Sequence, residues 1–249
     1  LAVLVAFIAV VAVRTIRFRP KPQPEVTKEE IAFDRDAAVD SLAQLVRCKT
    51  VSYNDHSLED EGEFQKLISL LPTLYPNVFG TCTFQQLPDR ALLLRWPGKQ
   101  EGDPAVMMAH YDVVPVNEEK WDKPPFAGVI EDGILWGRGT LDIKEQVFGV
   151  LEAAEYLLAR GRTFRRTAYL AFGDDEETLN TGALAISDHL KAQGVTLEFV
   201  LDEGGGKIES GAAFGAPDLS IAQVDLMEKG YADLELTVRS IGGHSSRPY

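Results

Sequence analysis

The residues with chemistry to offer come in short groups. Met107-Met-Ala-His-Tyr-Asp-Val-Val-Pro115 puts His110 and Asp112 two apart where an apolar, strand-like run ends. Gly137-Arg-Gly-Thr-Leu-Asp-Ile-Lys144 puts Asp142 in a glycine-punctuated turn, just where a helical pattern begins. Asp174-Asp-Glu-Glu177 and then Asp202 close two further apolar runs. Side chains two apart on an extended segment share a face. His110 can therefore face a cation while Asp112 fixes its tautomer and raises its basicity. A carboxylate at Asp142 can bridge two cations, which an imidazole cannot; the alternative is an N-cap for the following helix. Glu176 and Glu177 are adjacent, so they cannot do one job in one place. One can bind metal while the other takes a proton from a water that zinc acidifies to a pKa of about 7. Asp202 would complete a ligand set with His110. This inventory fits a hydrolytic centre with two zinc ions, and its donors accept cobalt or manganese as well. His244, in Ile241-Gly-Gly-His-Ser-Ser246, is a further candidate, able to hydrogen-bond a substrate oxygen.

These groups need elements to carry them. Apolar residues at helical spacing predict helices over 34–47, 63–75, 146–159 and 183–192. Short apolar runs bounded by turn residues predict strands over 91–96, 105–109, 167–172 and 197–201. Strands alternating with helices imply an α/β domain with a mostly parallel sheet flanked by helices. In such sheets sites form at the carboxyl ends of strands, where His110, the acidic run and Asp202 all fall. After about residue 205 the texture changes to glycine-rich loops, and 233–239 alternates polar with apolar as a half-exposed strand would. We expect a metal-binding domain over 34–218 and the start of a smaller second α/β domain over 219–249.

The chain has 249 residues, enough for a sizeable core, with 45% hydrophobic and 25% charged content. Its net charge of −13, from 38 acidic and 25 basic residues, argues against a nucleic-acid partner. Residues 1–13 are all apolar and are followed by Arg14, Arg17 and Arg19. Thirteen residues are short of the roughly 20 that span a bilayer. The chain begins with Leu, however, so residues 1–19 are read as part of a membrane anchor or signal segment. Residues 20–33, with Pro20-Lys-Pro-Gln-Pro24, read as an extended tether. Cys48 and Cys82 have neither a disulfide framework nor metal-ligand spacing and are read as small buried apolar residues.

Six motifs in order resemble the co-catalytic zinc metallopeptidases of M20 type, the family of aminoacylase, glutamate carboxypeptidase, acetylornithine deacetylase and carboxypeptidase S. They are His110-Tyr-Asp112, Trp121 to Phe126, Gly137 to Lys144, Asp175-Glu-Glu177, Leu201-Asp-Glu-Gly204 and Gly242-Gly-His-Ser-Ser246. The resemblance covers residues 35 to 249 and is strongest to the carboxypeptidase S and N-acyl-amino-acid hydrolase branch. It implies a zinc exopeptidase-like catalytic domain, then a small lid or dimerisation domain. One zinc would be held by His110 and Asp202, the other by Glu177 and a late histidine, with Asp142 bridging. Glu176 would be the general base, Asp112 would orient His110, and His244 would bind substrate. The substrate would be a small peptide or N-acyl amino acid with a free carboxylate beside the cleaved amide. A homodimer, and an exported or membrane-anchored location outside the cytoplasm, are implied as well. The pattern departs at Asp174, where the family has His or a small residue, and at Thr178-Leu-Asn-Thr181, where it has a glycine-rich turn. No histidine follows His244, so we expect a fragment of a longer protein, weak or inactive alone. The rival expectation is a non-catalytic, membrane-anchored binding or dimerisation protein on the same scaffold.

Overall fold

A computed structural model of the chain describes residues 1–18, 30–204, 208–215, 217–222, 224–226, 230 and 234–237. The chain divides into two units, Leu1–Asp34 and Arg35–Tyr249. In the first, α1 (Ala2–Arg17) is a 16-residue helix with no buried residue. No helix among the described residues is long and apolar enough to cross a membrane.

The second unit alternates as its periodicity predicts. Its helices are α2 (Arg35–Val46), α3 (Glu61–Leu74), α4 (Pro76–Thr81), α5 (Lys144–Ala159) and α6 (Thr181–Ala192). Its five-stranded sheet has the order β1 (Thr83–Gln86), β2 (Leu92–Trp96), β6 (Ala168–Gly173), β3 (Ala105–His110), β7 (Phe199–Leu201). β6, β3 and β7 are mutually parallel, whereas β1 and β2 each pair antiparallel with the next strand, so the mostly parallel expectation resolves into a mixed sheet. β1 is exposed at all four residues, which is why its apolar signal was too weak to read. Two further hairpins, β4 (Val129–Glu131) with β5 (Ile134–Trp136) and β8 (Ile208–Ser210) with β9 (Ser220–Ala222), were not predicted. The strand expected over 233–239 is absent from its described part, 234–237.

The alternation of side chains along each strand builds two cores. Leu92, Leu94, Trp96, Leu170 and Phe172 face α3 and α5; Leu93, Val106, Tyr169 and Ala171 face Ile186 and Leu190 of α6. β6 is buried at all six residues, as a strand covered on both faces must be. Cys48 and Cys82 are both buried free thiols, as read from the sequence.

Two details set the positions of the chemical groups. His110 is registered against Gly173 on the neighbouring parallel strand, and the Tyr111 amide donates to the Gly173 carbonyl (2.9 Å). The segments after β3 and β6 therefore emerge side by side. Residues 50–52 extend this end of the sheet through a parallel bridge between Val51 and Val113.

Candidate metal centre

His110 is the hub. It is the last residue of β3 and its side chain is only 2% exposed. Its Nδ1 lies 3.1 Å from the Asp112 carbonyl oxygen and 3.2 Å from Asp112 Oδ1. Its Nε2 faces three carboxylates: Asp142 Oδ1 at 3.2 Å, Glu203 Oε1 at 3.4 Å and Glu176 Oε2 at 3.7 Å. Donor atoms of His110, Asp142 and Glu177 lie within 4.8 Å of one another, and so do those of His110, Glu176 and Glu203.

The electrostatics follow from this crowding. Burial by itself would push His110 down, but Asp112 and Glu203 outweigh it and push the imidazole up to about 11. Glu176 is raised by burial, helped by the nearby negative charges of Glu203, Asp112 and Asp142, with His110 opposing. Glu177 is raised by burial first, then by Asp142. Carboxylates gathered around one imidazole nitrogen need positive charge among them, and without a metal His110 itself supplies it. Divalent cations fit this donor set, because they bring more charge than a proton and accept both imidazole and carboxylate ligands.

Asp112 organises the centre from beneath. Fully buried, its Oδ2 accepts from Ser52 Oγ (2.6 Å) and from the Glu177 amide (3.2 Å), and its Oδ1 accepts from the Glu176 amide (3.1 Å). One carboxylate thus orients His110 and pins the backbone of both glutamates. Ser52 had no sequence signal; it reaches Asp112 only because residues 50–52 pair beside 111–113.

The acidic run splits its four members by environment. Asp174 turns inward to Arg90, whose Nε donates to Asp174 Oδ2 at 3.0 Å. Asp175 caps α6, accepting from the Thr181 amide (2.7 Å), Thr181 Oγ1 (2.6 Å) and the Gly182 amide (2.8 Å). Asn180, which stands at the N-cap position itself, makes no side-chain cap. Only Glu176 and Glu177 are left to face the centre.

Asp142 sits in a turn that only glycine permits. Gly139 has φ +86°, and a Cβ there would lie 2.9 Å from Val113 Cγ1; at Gly137 a Cβ would lie 2.4 Å from Val46 Cγ1. Asp142 is not a cap for α5, whose N-cap is Ile143 with no side-chain bond. Its carboxylate is 62% exposed and free to reach His110.

The structure does not bring Asp202 to His110, and Glu203 takes that place. Asp202 is exposed and its Oδ1 accepts from the Glu203 amide (2.8 Å); it borders a cleft with Met107 and Gln146. The two adjacent acids part in direction. Leu201, the last paired residue of β7, is level with Met107, and Asp202 lines the cleft on the side of Met107 and Gln146, whereas Glu203 reaches His110. The motif Leu201-Asp-Glu-Gly204 contained both acids, and its spacing does not choose between them. His244 lies outside the described residues.

Residues 106–237 match Peptidase family M20/M25/M40. The chain is 37% identical over 259 residues to the N-fatty-acyl-amino acid synthase/hydrolase PM20D1 of Xenopus tropicalis, covering 98% of this chain and 49% of that protein. It is 35% identical over 257 residues to the probable carboxypeptidase S-like 2 of Dictyostelium discoideum, again covering 98% of this chain and 49% of the relative. The chain thus spans about half the length of the curated relatives it matches. Among solved structures, human carnosine dipeptidase 1 shares the fold with a TM-score of 0.54 at 17% identity, over 70% of this chain and 40% of that one.

Proposed function

The chain belongs to peptidase family M20/M25/M40, and from that membership we propose that its complete protein is a zinc-dependent hydrolase of amide bonds next to a free carboxylate. The observation that carries the proposal is His110 Nε2 facing Asp142, Glu176 and Glu203, carboxylates brought from three separate loops. The relatives named for N-fatty-acyl-amino acids and for carboxypeptidase S support a small peptide or N-acyl amino acid as substrate. No observation favours the non-catalytic alternative.

His110, Asp142, Glu177 and Glu203 would hold two zinc ions. Zinc bound there supplies Lewis-acid polarisation of the scissile carbonyl and acidifies water. The remaining roles belong to the chain itself. Asp112 holds the Nδ1 side of His110, leaving Nε2 free to ligate. Glu176 is partly exposed and its carboxyl is raised, chiefly by burial, which makes it a better proton acceptor than an ordinary carboxylate. Its backbone is pinned by Asp112, so its Oε2 can take a proton from water and return it to the leaving nitrogen without moving far. His244 is proposed to contact the substrate, and the complete protein to be a homodimer. α1, apolar and without a buried residue, is proposed to hold the protein at a membrane or to mark it for export.

The test is hydrolysis of a panel of dipeptides and N-acyl amino acids by the complete protein, metal-free and zinc-restored. Glu176→Gln should lower kcat by at least about 100-fold with zinc content nearly unchanged, the scale of a positioned base. Loss of zinc and of activity together would remove Glu176 from the role of base.

A further inference from the structure

Arg90 is an unusual residue 84 positions from the acidic run it contacts. It holds φ +79°, in the left-handed region that non-glycine residues occupy only under constraint. Its guanidinium is 11% exposed and forks three ways: Nε to Asp174 Oδ2 (3.0 Å), Nη2 to Glu59 Oε2 (2.6 Å) and Nη1 to Glu61 Oε2 (3.0 Å). It lies 3.8 Å over the buried Phe64 ring, which meets Tyr111 edge-on at 6.1 Å. Its carbonyl oxygen accepts from Tyr111 Oη at 2.7 Å.

These contacts grip both halves of the metal centre. Tyr111 stands between His110 and Asp112 on the segment after β3; Asp174 opens the run that ends in Glu176 and Glu177 after β6. Asp174 is itself a close fit. Its Oδ1 is buried without a hydrogen bond among the described residues, and a Cβ at Gly182 would come within 2.4 Å of it. A carboxylate in that slot needs a cation on its other side, and among the described residues Arg90 reaches it.

We propose that Arg90 is a positioning residue for the metal centre, bracing the His110–Asp112 segment through Tyr111 and the Glu176–Glu177 segment through Asp174. The inference rests on the metal-site reading above. Its content is that metal affinity and turnover depend on the geometry of the brace and not merely on neutralising a buried carboxylate.

The test uses Arg90→Met, Asp174→Asn, the double variant and Tyr111→Phe in the complete protein. Zinc affinity is read by competition with a chromogenic chelator, alongside kcat, KM and the metal-free Tm. Arg90→Met should weaken zinc binding and kcat by about 10–100-fold each, the scale of an outer-shell partner, with KM little changed. The double variant removes one of the two buried carboxylates that Arg90→Met strands, leaving Glu59, and should regain part of the metal-free Tm, while zinc affinity and kcat stay low. Recovery of zinc affinity and kcat along with Tm would overturn the proposal, leaving only charge neutralisation. Should Arg90→Met fail to fold, Arg90→Lys keeps the charge and loses the fork; wild-type zinc affinity in that variant would equally overturn it. A wild type that binds zinc but hydrolyses none of the panel would sink the hydrolase assignment, yet the zinc affinities would still decide the role of Arg90.

Discussion

Zinc must displace a proton from His110, and the size of that competition can be worked out. The imidazole is pushed up to about 11 in the metal-free protein because Asp112 and Glu203 outweigh the effect of burial. At pH 7 it is then about four units below its midpoint and almost wholly protonated, which takes about 5 kcal/mol from zinc binding at 1.36 kcal/mol per unit. Each pH unit gained between about 6.5 and 8.5 should raise the apparent zinc affinity about tenfold, with about one proton released per bound His110. Calorimetric titration of the metal-free protein with zinc, in buffers of different ionisation enthalpy, measures that proton directly. Stability should follow the same linkage. The raised imidazole contributes stability in full below its unfolded midpoint of about 6.5 and loses it as pH climbs toward 11, so the metal-free Tm should fall over that range. With zinc bound the fall should vanish. No proton release and a flat affinity would refute the reasoning, because His110 would then be neutral before metal arrives and the carboxylate cage would not hold it charged.

Two further variants probe how the acids are shared out. Glu203→Gln should weaken zinc binding by more than the roughly 10–100-fold of an outer-shell partner, whereas Asp202→Asn should change it less than about threefold. The reverse ranking, by the same chelator competition, would discard the assignment of Glu203 over Asp202. Asp175→Ala strands the Thr181 and Gly182 amides at the start of α6, costing about 2–4 kcal/mol. For a chain of this size that is a Tm drop of about 5–12 °C, and a drop below about 2 °C by calorimetry would show that α6 is capped by other means.

Much of the architecture was legible in the sequence because burial imposes a period. α2, α3, α5 and α6 lie where apolar spacing put them, and β2, β3, β6 and β7 lie where short apolar runs end in turn residues. His110, Asp142, Glu176 and Glu177 converge because all stand at strand ends or in a glycine turn, positions that local spacing reveals. β1 escaped notice because an exposed edge strand has no apolar face to show.

What local pattern cannot carry is a relation between distant segments. Which of Asp202 and Glu203 meets His110 depends on how the chain leaves β7, whose last pairing with β3 joins Leu201 to Met107, 94 residues away. The sorting of four consecutive acids into an arginine partner, a helix cap and two site carboxylates depends on what packs beside each one. Ser52 and Arg90 reach the segments of the centre through a bridge and an ion pair that join stretches distant in sequence. Residue type and spacing determined the donors and the strand ends that offer them. The sheet and the turns that leave it decided which donors meet, because adjacent residues of an extended chain point to opposite sides, the difference between a ligand and a bystander.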